Sequence, residues 1–382
     1  MASPLNRRQF LTAIAAVTGT AASSPLWAQS LLSRPAALQF LSKANYDLHF
    51  PGEDQPHLAT LMSWPHRRGF YLNTLGAMQD EMAAIAQAIA QYETVLMIAH
   101  PGQGATAQSK CGPSVRVLEL PLDDCWMRDN GPVFIHATPT GGGQSTRVAM
   151  DFGFNAWGNP NWQSDNDDAI PQRLCERFQH PFHTVPFVLE GGAIHGDGEG
   201  TIYTTEECLL HPSRNGSVTK ADVEAQLAAT LGAQKVVWLP WGLTPNDLTE
   251  GHIDGVLALI EPGKVLLQQA RPTDRPDVQL RAAENLAALQ GQTDAQGRVI
   301  DIVPWNWMTD TSIFGATFEH TYLNFYLVNG AVIVPTASNN DDAPALAELQ
   351  THFPNRDIVG VECRALGYNG GGVHCVTQQV PV

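Results

Sequence analysis

The sequence predicts a single α/β domain assembled from modules that repeat in shape but not in sequence. Short polar motifs flanked by glycine recur along the chain between apolar runs. Their landmark residues are Trp64, Asp129, Glu190, His252, Asn324 and Cys375. Successive landmarks are 65, 61, 62, 72 and 51 residues apart, and a period of roughly 50 to 70 residues is typical of repeated structural modules. No linker rich in Pro, Gly or Ser interrupts the pattern, which favours one domain over several.

Helices and strands are predicted from the spacing of apolar residues. Residues 75–92 carry apolar side chains at helical spacing, which predicts an amphipathic helix. Residues 219–231 and 344–353 predict two further helices, the first with Thr219 as its N-cap. The apolar runs that predict strands or hairpins are residues 93–102, 114–122, 131–138, 145–154, 235–240, 256–269 and 322–335. The Asn-Gly pair at 329–330 is a strong hairpin signal.

The polar motifs fall at strand ends or turns, where a rigid scaffold commonly carries its functional residues. The chain repeats one unit about five times. Each unit consists of a helix, a strand, a polar motif and a pair of strands. The last strand, after Cys375, ends the chain at Val382. We expect this strand to pair with the first module, because that pairing would remove an exposed sheet edge.

The first 28 residues have the features of an export signal. Arg7 and Arg8 precede a weakly apolar stretch, LTAIAAVTGTAA, and the small residue Ala28 precedes Gln29. This arrangement resembles a twin-arginine signal, which directs export of a folded protein. We therefore expect residues 29–382 to form the mature domain and to work in a bacterial periplasm.

Composition excludes several classes of partner. The formal net charge is −16, whereas nucleic-acid binding requires basic patches, and an acidic protein favours a cationic ligand. After the N-terminal segment no apolar stretch is long enough to span a bilayer, so no membrane partner is expected once the signal is removed. The six cysteines include no CxxC pair, and no His-rich metal-binding pattern occurs. The oligomeric state stays open, with a homo-oligomer among the options.

Several landmark residues together match one chemical task, the opening of a guanidinium group. Taken alone, Cys375 or His252 would more often be structural, and Asp129 and Glu190 would each need a cationic or hydrogen-bonding partner if buried. A guanidinium is planar, permanently charged and forms paired hydrogen bonds with carboxylates. Its carbon needs a strong nucleophile and its ammonia leaving group needs a proton. A cysteine, a histidine and several carboxylates supply these functions.

Seven motifs carry a resemblance that covers about residues 56–382. They are PHLATLMSWP, DDCWMRDNGPVF, DFGFNAWG, LEGGAIHGDGEGTIYTTEECLL, EGHIDG, YLNFY and GGGVHCVTQQVP. In this order they resemble the agmatine deiminase and bacterial peptidyl-arginine deiminase family, within the guanidino-group-modifying superfamily. The resemblance implies a five-module, pseudo-symmetric α/β propeller of the pentein-like type, with residues 29–382 as the deiminase catalytic domain.

The same resemblance implies a role for each candidate site residue. Cys375 would be the nucleophile, and His252 the general acid and base. Asp129 and Asp254 would hold the guanidinium, and Glu190 would support both His252 and the guanidinium. The other substrate-binding candidates are Trp126, which would line the aliphatic stem of the substrate, Asn324 and Gly372. The implied reaction is hydrolysis of agmatine to N-carbamoylputrescine and ammonia through a covalent thiouronium on the cysteine, without a cofactor.

Departures from the family pattern leave the far end of the substrate open. Gly255 stands where the family commonly has Asn, and the stretches NDLTE and NPNWQSDNDD are atypical. A peptidyl-arginine deiminase, or a deiminase of another small guanidine, is therefore an alternative. Free arginine is disfavoured because no arginine set for an α-carboxylate is evident, with Arg128, Arg147 and Arg364 as the residues to check. From other classes, the alternatives are an exported guanidine-binding protein, which needs neither Cys nor His, and a cysteine hydrolase of amide bonds, which needs no pair of guanidine-facing aspartates.

Overall fold

The computed structural model of the protein describes residues 45–245 and 247–382. The predicted export signal, residues 1–28, lies outside the described residues. The strands, in chain order, are β1 (Tyr46–His49), β2 (His57–Ser63), β3 (Thr94–Ala99), β4 (Val115–Glu119), β5 (Val133–Pro139), β6 (Thr146–Gly153), β7 (Phe182–Val188), β8 (Ile194–Gly196), β9 (Thr201–Thr205), β10 (Lys235–Leu239), β11 (Leu257–Glu261), β12 (Lys264–Gln268), β13 (Asp301–Trp305), β14 (Met308–Ile313), β15 (Ala316–Thr321), β16 (Tyr326–Val328), β17 (Ala331–Thr336), β18 (Asp357–Glu362) and β19 (Thr377–Pro381).

Helices alternate with these strands. The α-helices are Arg68–Tyr71, Leu75–Ile89, Gly104–Cys111, Met127–Asn130, Asp165–Asp168, Ile170–Phe178, Glu206–Leu209, Pro212–Asn215, Lys220–Leu231, Pro276–Leu289, Asp342–His352 and Arg364–Tyr368. Short 3₁₀ turns are Ala156–Gly158, Gly191–Ala193, Ile253–Gly255 and His374–Val376. Among the residues described, no helix combines the length and the apolar character that a membrane span requires.

One strand order recurs in five sheets of the described chain: an antiparallel pair is extended by a parallel strand. These sheets are β5-β6-β7, β8-β9-β10, β11-β12-β13, β16-β17-β18 and β19-β2-β3. Strand β1 extends the first of them, β4 extends the last, and β14 and β15 form a separate hairpin. The architecture is a single mixed α/β domain. The predicted pairing of the last strand with the first module is confirmed, because β19 pairs with β2.

The predicted helix over residues 75–92 is confirmed at Leu75–Ile89. The fully buried residues along one face are Met78, Met82, Ile85 and Ile89. Their spacing of four, three and four residues keeps them on one side of a helix with 3.6 residues per turn. Burying each side chain contributes about 1.5–3 kcal/mol, so packing of this face against the sheets stabilises the helix more than local propensity does.

The predicted N-cap at Thr219 is also confirmed. Thr219 Oγ1 accepts a hydrogen bond from the Asp222 backbone N–H at 3.3 Å, and Asp222 Oδ2 accepts one from the Thr219 N–H at 2.9 Å. This reciprocal pair satisfies N–H groups that the first turn of Lys220–Leu231 leaves free. The helix ends where Gly232 adopts a left-handed conformation with φ of 75°, which glycine allows without a steric penalty.

Several helices and strands were not predicted from the sequence, and the helix Pro276–Leu289 and the β14–β15 hairpin illustrate why. The helix Pro276–Leu289 buries only Val278, Asn285 and Leu289, so its apolar face is narrow and interrupted by a polar side chain. The β14–β15 hairpin turns at residues 314–315, where Phe314 and Gly315 have φ of 55° and 82°. Phenylalanine is an uncommon residue at positive φ, so this turn lacks the usual sequence signal.

Candidate active site

Four of the predicted motifs form a single helical turn that leads directly into a strand. These turns are Met127–Asn130 before β5, Gly191–Ala193 before β8, Ile253–Gly255 before β11 and His374–Val376 before β19. The first turn contacts the second and the fourth, and the second contacts the third. Motifs that are far apart in the sequence therefore meet at one place in the fold.

A cavity of about 640 Å³ lies beside these turns, and a much smaller cleft also reaches Cys375. Predicted site residues that line the cavity are His252, Asp254, Asn324, Gly372 and Cys375. Predicted site residues in the cleft are Trp126, Asp129 and again Cys375. Seven of the eight predicted residues thus line one of these two spaces. The eighth, Glu190, is fully buried and lines neither.

Cys375 lines both spaces, and the residue is 7% exposed. Its Sγ donates toward Asn324 Oδ1 at 3.3 Å and toward Asp254 Oδ2 at 3.5 Å. Burial, and then the negative charges of Asp254 and Asp129, raise the pKa of the Cys375 thiol well above its ordinary value. The sulfur is therefore a neutral thiol in the free protein. A cation bound beside it would favour the thiolate.

Asp254 is held ionised by a buried histidine. His374 Nδ1 lies 2.9 Å from Asp254 Oδ2, and His374 Nε2 lies 3.0 Å from Glu53 Oε2. Burial and Arg128 disfavour the charged imidazole, but Glu53 and Asp254 outweigh them and raise the pKa of His374. Burial likewise opposes ionisation of Asp254, yet the hydrogen bond and charge of His374 lower the pKa of this carboxyl to about 2. Asp254 is consequently a carboxylate at any pH at which the protein would work.

Asp129 is fixed by two donors and faces a histidine. Its Oδ2 accepts a hydrogen bond from Trp157 Nε1 at 3.0 Å, and its Oδ1 accepts one from the Gly192 N–H at 3.0 Å. His252 Nδ1 lies 3.8 Å from Asp129 Oδ1. Burial raises the pKa of Asp129 to about 6, because the opposing charge of His252 does not compensate for desolvation and for the neighbouring carboxylates. Asp129 thus titrates close to neutral pH.

The Trp157 indole reaches Asp129 through strained backbone. Ala156 and Trp157 both have positive φ, 55° and 54°, which costs about 1–3 kcal/mol per non-glycine residue. Asn155 Oδ1 accepts a hydrogen bond from the Gly158 N–H at 2.8 Å and holds this segment in place. Because the strain serves to direct a donor at Asp129, it points to a functional role for that carboxylate.

Glu190 and His252 lie close together without a direct hydrogen bond. Glu190 Oε1 accepts a hydrogen bond from Arg214 Nε at 2.8 Å, and both side chains are fully buried. Glu190 Oε2 and both ring nitrogens of His252 have no hydrogen-bond partner among the residues described. His252 is therefore free to exchange protons with a group that enters the cavity. Glu190 contributes negative charge next to it rather than a hydrogen bond.

The remaining candidates shape the walls around the sulfur. Asn324 Oδ1 accepts a hydrogen bond from the Cys375 N–H at 3.3 Å, and Asn324 Nδ2 donates to the Asp254 carbonyl at 3.3 Å. A Cβ at Gly372 would lie 2.6 Å from Asn324 Oδ1, and a Cβ at Gly371 would meet the Trp126 ring. The glycines thus allow the Cys375 loop to pack directly against the site. Asn324 lines the cavity and also links Cys375 to Asp254.

Comparison with known proteins identifies the family. Residues 49–381 match the family model described as Porphyromonas-type peptidyl-arginine deiminase. The chain belongs to this family. An agmatine deiminase from Pseudomonas aeruginosa is 37% identical to it over 360 residues, which cover 87% of this chain and 95% of the relative. The resemblance to the agmatine deiminase and bacterial peptidyl-arginine deiminase family is confirmed.

Solved structures agree with this membership in the Porphyromonas-type peptidyl-arginine deiminase family. The agmatine deiminase of Enterococcus faecalis superposes with a TM-score of 0.81 at 31% identity, covering 88% of this chain and 96% of that chain. An agmatine deiminase of C. jejuni has the same fold, with a TM-score of 0.73 at 24% identity and coverage of 87% and 96%. The protein is an enzyme of the hydrolase class that acts on the carbon–nitrogen bonds of linear amidines.

Four residues that hydrogen-bond to the predicted site residues, or to one of their partners, had no role predicted from the sequence. They are Glu53, Trp157, Arg214 and His374. Trp157 and His374 lie inside quoted motifs, DFGFNAWG and GGGVHC, so the motifs themselves were a usable signal for them. Glu53 and Arg214 lie outside every motif, and only their burial against charged partners identifies them.

We expect Gly192→Ala to lower kcat/KM of this hydrolase by about 100-fold, the cost of moving reacting groups by about 1 Å. A Cβ at Gly192 would lie 2.6 Å from His252 Nδ1 and 2.8 Å from Asp129 Oδ1, so one of these side chains must move. Gly76→Ala is the control, because its Cβ would meet nothing within 4 Å. Steady-state kinetics check the result, and equal activity of the two variants would contradict the geometry.

The Asp129 pKa predicts an acid limb in the pH profile. Asp129 must be ionised to bind a cation, and its pKa is raised to about 6. Because kcat/KM reports the free enzyme, it should rise with pH up to about 6 and fall about tenfold per pH unit below that value. Asp254 adds no limb in this range, since its pKa is lowered to about 2. A flat kcat/KM between pH 5 and 7, with an unchanged circular dichroism spectrum, would refute this assignment.

Proposed function

We propose that this protein hydrolyses the guanidino group of agmatine to a ureido group, with N-carbamoylputrescine and ammonia as products. The observation that carries the proposal is the buried Cys375 thiol, which contacts the Asp254 carboxylate at 3.5 Å and borders a cavity together with His252. Apart from its histidines, the cavity lining contains one basic residue, Arg275. Its acidic residues are Asp247, Asp254, Asp310 and Glu319. Four carboxylates against one arginine favour a cationic substrate.

In the first half of the proposed reaction, Asp129 and Asp254 bind the guanidinium edges and hold its carbon facing Cys375. The positive charge of the substrate lowers the thiol pKa, and the thiol proton passes to His252. The thiolate attacks the guanidinium carbon, so a carbon–sulfur bond forms and a neutral tetrahedral adduct results. The His252 imidazolium then protonates one amino group, the carbon–nitrogen bond breaks, and ammonia leaves. An S-alkylthiouronium on Cys375 remains, and His252 is neutral again.

In the second half, water replaces ammonia in the cavity. Neutral His252 takes a proton from this water as the oxygen attacks the thiouronium carbon. The tetrahedral adduct expels the sulfur as a thiolate, which recovers its proton from His252. The hydroxyl proton passes to solvent and converts the released ammonia to ammonium, so the charge of the guanidinium is conserved. Every step uses side chains of the site, and the scheme requires no cofactor.

Agmatine fits better than free arginine because the three arginines that the sequence offered for an α-carboxylate are engaged elsewhere. Arg128 donates to Gln379, Glu53 and a backbone carbonyl. Arg147 donates to the Pro381 carbonyl, and Arg364 pairs with Glu362. None of the three lines the cavity, and the arginine that does, Arg275, pairs with Asp277 at 3.2 Å. The relatives named agmatine deiminase also support a guanidine without a carboxylate.

A second candidate substrate is a peptidyl-arginine side chain. The cavity volume of about 640 Å³ is in the range of pockets for drug-sized ligands, about 300–1,000 Å³, and is larger than agmatine needs. Tyr368 lines the cavity and is 43% exposed, and Phe314, 44% exposed, packs against it with ring centroids 5.9 Å apart. These exposed aromatic side chains, one in the cavity lining and one beside it, would suit the peptide that flanks an arginine.

A substrate panel tests the proposal. Purified protein is given agmatine, free arginine, a blocked arginyl peptide and methylguanidine, and the ureido product is quantified for each. We expect the highest kcat/KM with agmatine, and a higher value with the peptide would favour the second candidate. An exported guanidine-binding protein would bind agmatine without forming product. A cysteine hydrolase of amide bonds would cleave the peptide backbone and release no ureido compound.

We propose that the five sheets with a common strand order are modules related by a pseudo-fivefold axis, as in a propeller. The repeated order and the pairing of β19 with β2 support this arrangement. The reactive turns would then lie around the axis, which explains why chemically different residues meet there. Superposition of successive modules by one common rotation in a crystal structure would establish the symmetry, and unrelated rotations would contradict it.

We also propose that residues 1–28 direct export to the periplasm. The Arg7-Arg8 pair ahead of an apolar stretch supports this assignment. In cells that express the full chain, activity should be found in the periplasmic fraction. Changing both Arg7→Lys and Arg8→Lys should retain the activity in the cytoplasmic fraction. An identical distribution of the two proteins would contradict export by this route.

A further inference from the structure

Cys208 is a buried nucleophile that the proposed reaction does not use. It lies in the one-turn helix Glu206–Leu209, whose N-cap is Thr205, and it is completely buried. A carboxylate oxygen of Glu190, a ring nitrogen of His252 and the Cys208 sulfur all lie within 4.8 Å of one another. Glu190 and Cys208 are 18 residues apart in the sequence, and Cys208 and His252 are 44 apart. These spacings match no short metal-binding motif.

The potential ligand atoms in this group make almost no hydrogen bonds to the rest of the described chain. Glu190 uses Oε1 to bind Arg214, whereas its Oε2 has no partner among the residues described. Both ring nitrogens of His252 are also buried without a partner in that part of the chain. The Cys208 sulfur makes one weak contact, at 3.8 Å, with the Thr249 carbonyl. Buried polar atoms without partners are costly and rare, so their convergence on one point indicates a ligand.

The donor set matches zinc. Thiolate, imidazole and carboxylate are the three ligand types that zinc uses, and a three-ligand site leaves its fourth position for water. With bonds of about 2.0–2.3 Å, tetrahedral ligand atoms lie about 3.5 Å apart. The observed separations of up to 4.8 Å therefore require side-chain movements of about 1 Å, which rotamer adjustments can supply.

The charges around the group also suit a divalent cation. Arg214 pairs with Glu190, and Asp129 lies 3.8 Å from His252. A bound divalent metal and Arg214 together carry three positive charges. The carboxylates of Glu190 and Asp129 and the thiolate of Cys208 carry three negative charges. A neutral total lowers the cost of burying the ions.

We propose that Glu190, Cys208 and His252 bind Zn²⁺, and that the bound metal inhibits the enzyme by occupying the His252 imidazole. Because His252 lines the cavity, the metal reaches the site by the route the substrate would take. On binding, the Cys208 thiol releases its proton to solvent as the zinc–sulfur bond forms. The metal is an inhibitor at this site and not a cofactor. The inhibition rests on the proposed role of His252, whereas the binding does not.

Metal binding is tested first, without any activity measurement. Chelator-treated protein is titrated with Zn²⁺ in competition with a chromophoric chelator, and with Co²⁺ to detect a sulfur-to-cobalt charge-transfer band. Wild type should bind one equivalent of zinc and give the band. Cys208→Ser should lose the band and bind zinc about 100-fold more weakly, as expected when a ligand is removed. The controls Cys175→Ser, a buried cysteine of another cluster, and Cys375→Ala should both behave as wild type.

Two outcomes overturn the site. One is the absence of stoichiometric zinc binding to wild type, and the other is loss of binding in Cys375→Ala but not in Cys208→Ser, which would assign the metal to the reactive cysteine instead. Cys208→Ala is the second variant if serine disturbs the core, and circular dichroism verifies that each variant folds.

The inhibition is tested separately with agmatine. Zinc should suppress ammonia release by wild type, and a chelator should restore it. The activity of Cys208→Ser without zinc should lie within about twofold of the wild-type activity. Its inhibition should require about 100-fold more zinc than inhibition of the wild type. Equal zinc sensitivity of wild type and Cys208→Ser would overturn the inhibition. Zinc binding together with no turnover of any guanidine would refute the proposed function while leaving the metal site intact.

Discussion

Replacing Cys375 with alanine is expected to reduce kcat by at least about 10⁴-fold, the scale seen when a catalytic nucleophile is removed. The substitution deletes the atom that would form the covalent bond to the guanidinium carbon. Hydroxide from solvent cannot replace it, because the resonance-stabilised carbon needs a strong nucleophile held in line. Ammonia release from agmatine measures the effect.

The same variant should still bind agmatine, with Kd within about tenfold of the wild-type KM, since binding uses the carboxylates and not the sulfur. Isothermal titration measures that affinity. Cys175→Ala is the matched control, because Cys175 is also buried, at 2% exposure against 7% for Cys375, but packs in a different cluster. Turnover by Cys375→Ala above 1% (a rough threshold) of wild type would contradict nucleophilic catalysis by this residue.

Asp129→Asn is expected to lower kcat/KM for agmatine by about 10²–10³-fold. This loss lies within the range of about 2–5 kcal/mol for removing one partner of a buried, hydrogen-bonded charge pair. The asparagine keeps the size of the side chain but loses the charge that the guanidinium needs. In the wild type, Trp157 Nε1 and the Gly192 N–H each donate to one oxygen of the Asp129 carboxylate. In the variant, one of these donors faces the NH₂ group of the asparagine instead. One donor is then left unsatisfied, which adds to the loss.

Asp151→Asn is the matched control for this variant. Asp151 is buried to a similar degree, at 6% exposure against 5% for Asp129. Its Oδ2 accepts a hydrogen bond from Thr184 Oγ1 at 2.9 Å, and it lines neither the cavity nor the cleft. Both variants should lose some thermal stability, but only Asp129→Asn should lose kcat/KM. Similar kinetic losses in the two would mean that Asp129 acts through stability and not through substrate binding.

Local sequence signals predicted those parts of the fold that depend on neighbouring residues. The helix Leu75–Ile89, the Thr219 cap and the hairpin at residues 329–330 are each signalled by residues a few positions apart in the sequence. The β14–β15 hairpin was missed because its turn uses Phe314 at positive φ, a conformation that tertiary packing imposes against local preference. Such overrides cannot be detected from spacing alone.

The candidate site was predicted in its reactive groups but not in its supporting ones. Cys375 and Asp254 stand in motifs, so the sequence draws attention to them. His374 links Asp254 to Glu53, which is 321 residues away in the chain, and nothing near Glu53 suggests such a contact. Asn324 lines the cavity, as a substrate-binding residue would, and its amide also contacts Cys375 and the Asp254 carbonyl. That supporting contact was not predicted from the sequence.

The most direct test of the central claim is a crystal structure of Cys375→Ala with agmatine bound. We expect the guanidinium carbon about 3–3.5 Å from the position of the missing sulfur, with one edge of the cation on Asp129 and another on Asp254, and His252 beside a terminal nitrogen. A guanidinium bound elsewhere in the cavity, away from residue 375 and these two carboxylates, would contradict the account.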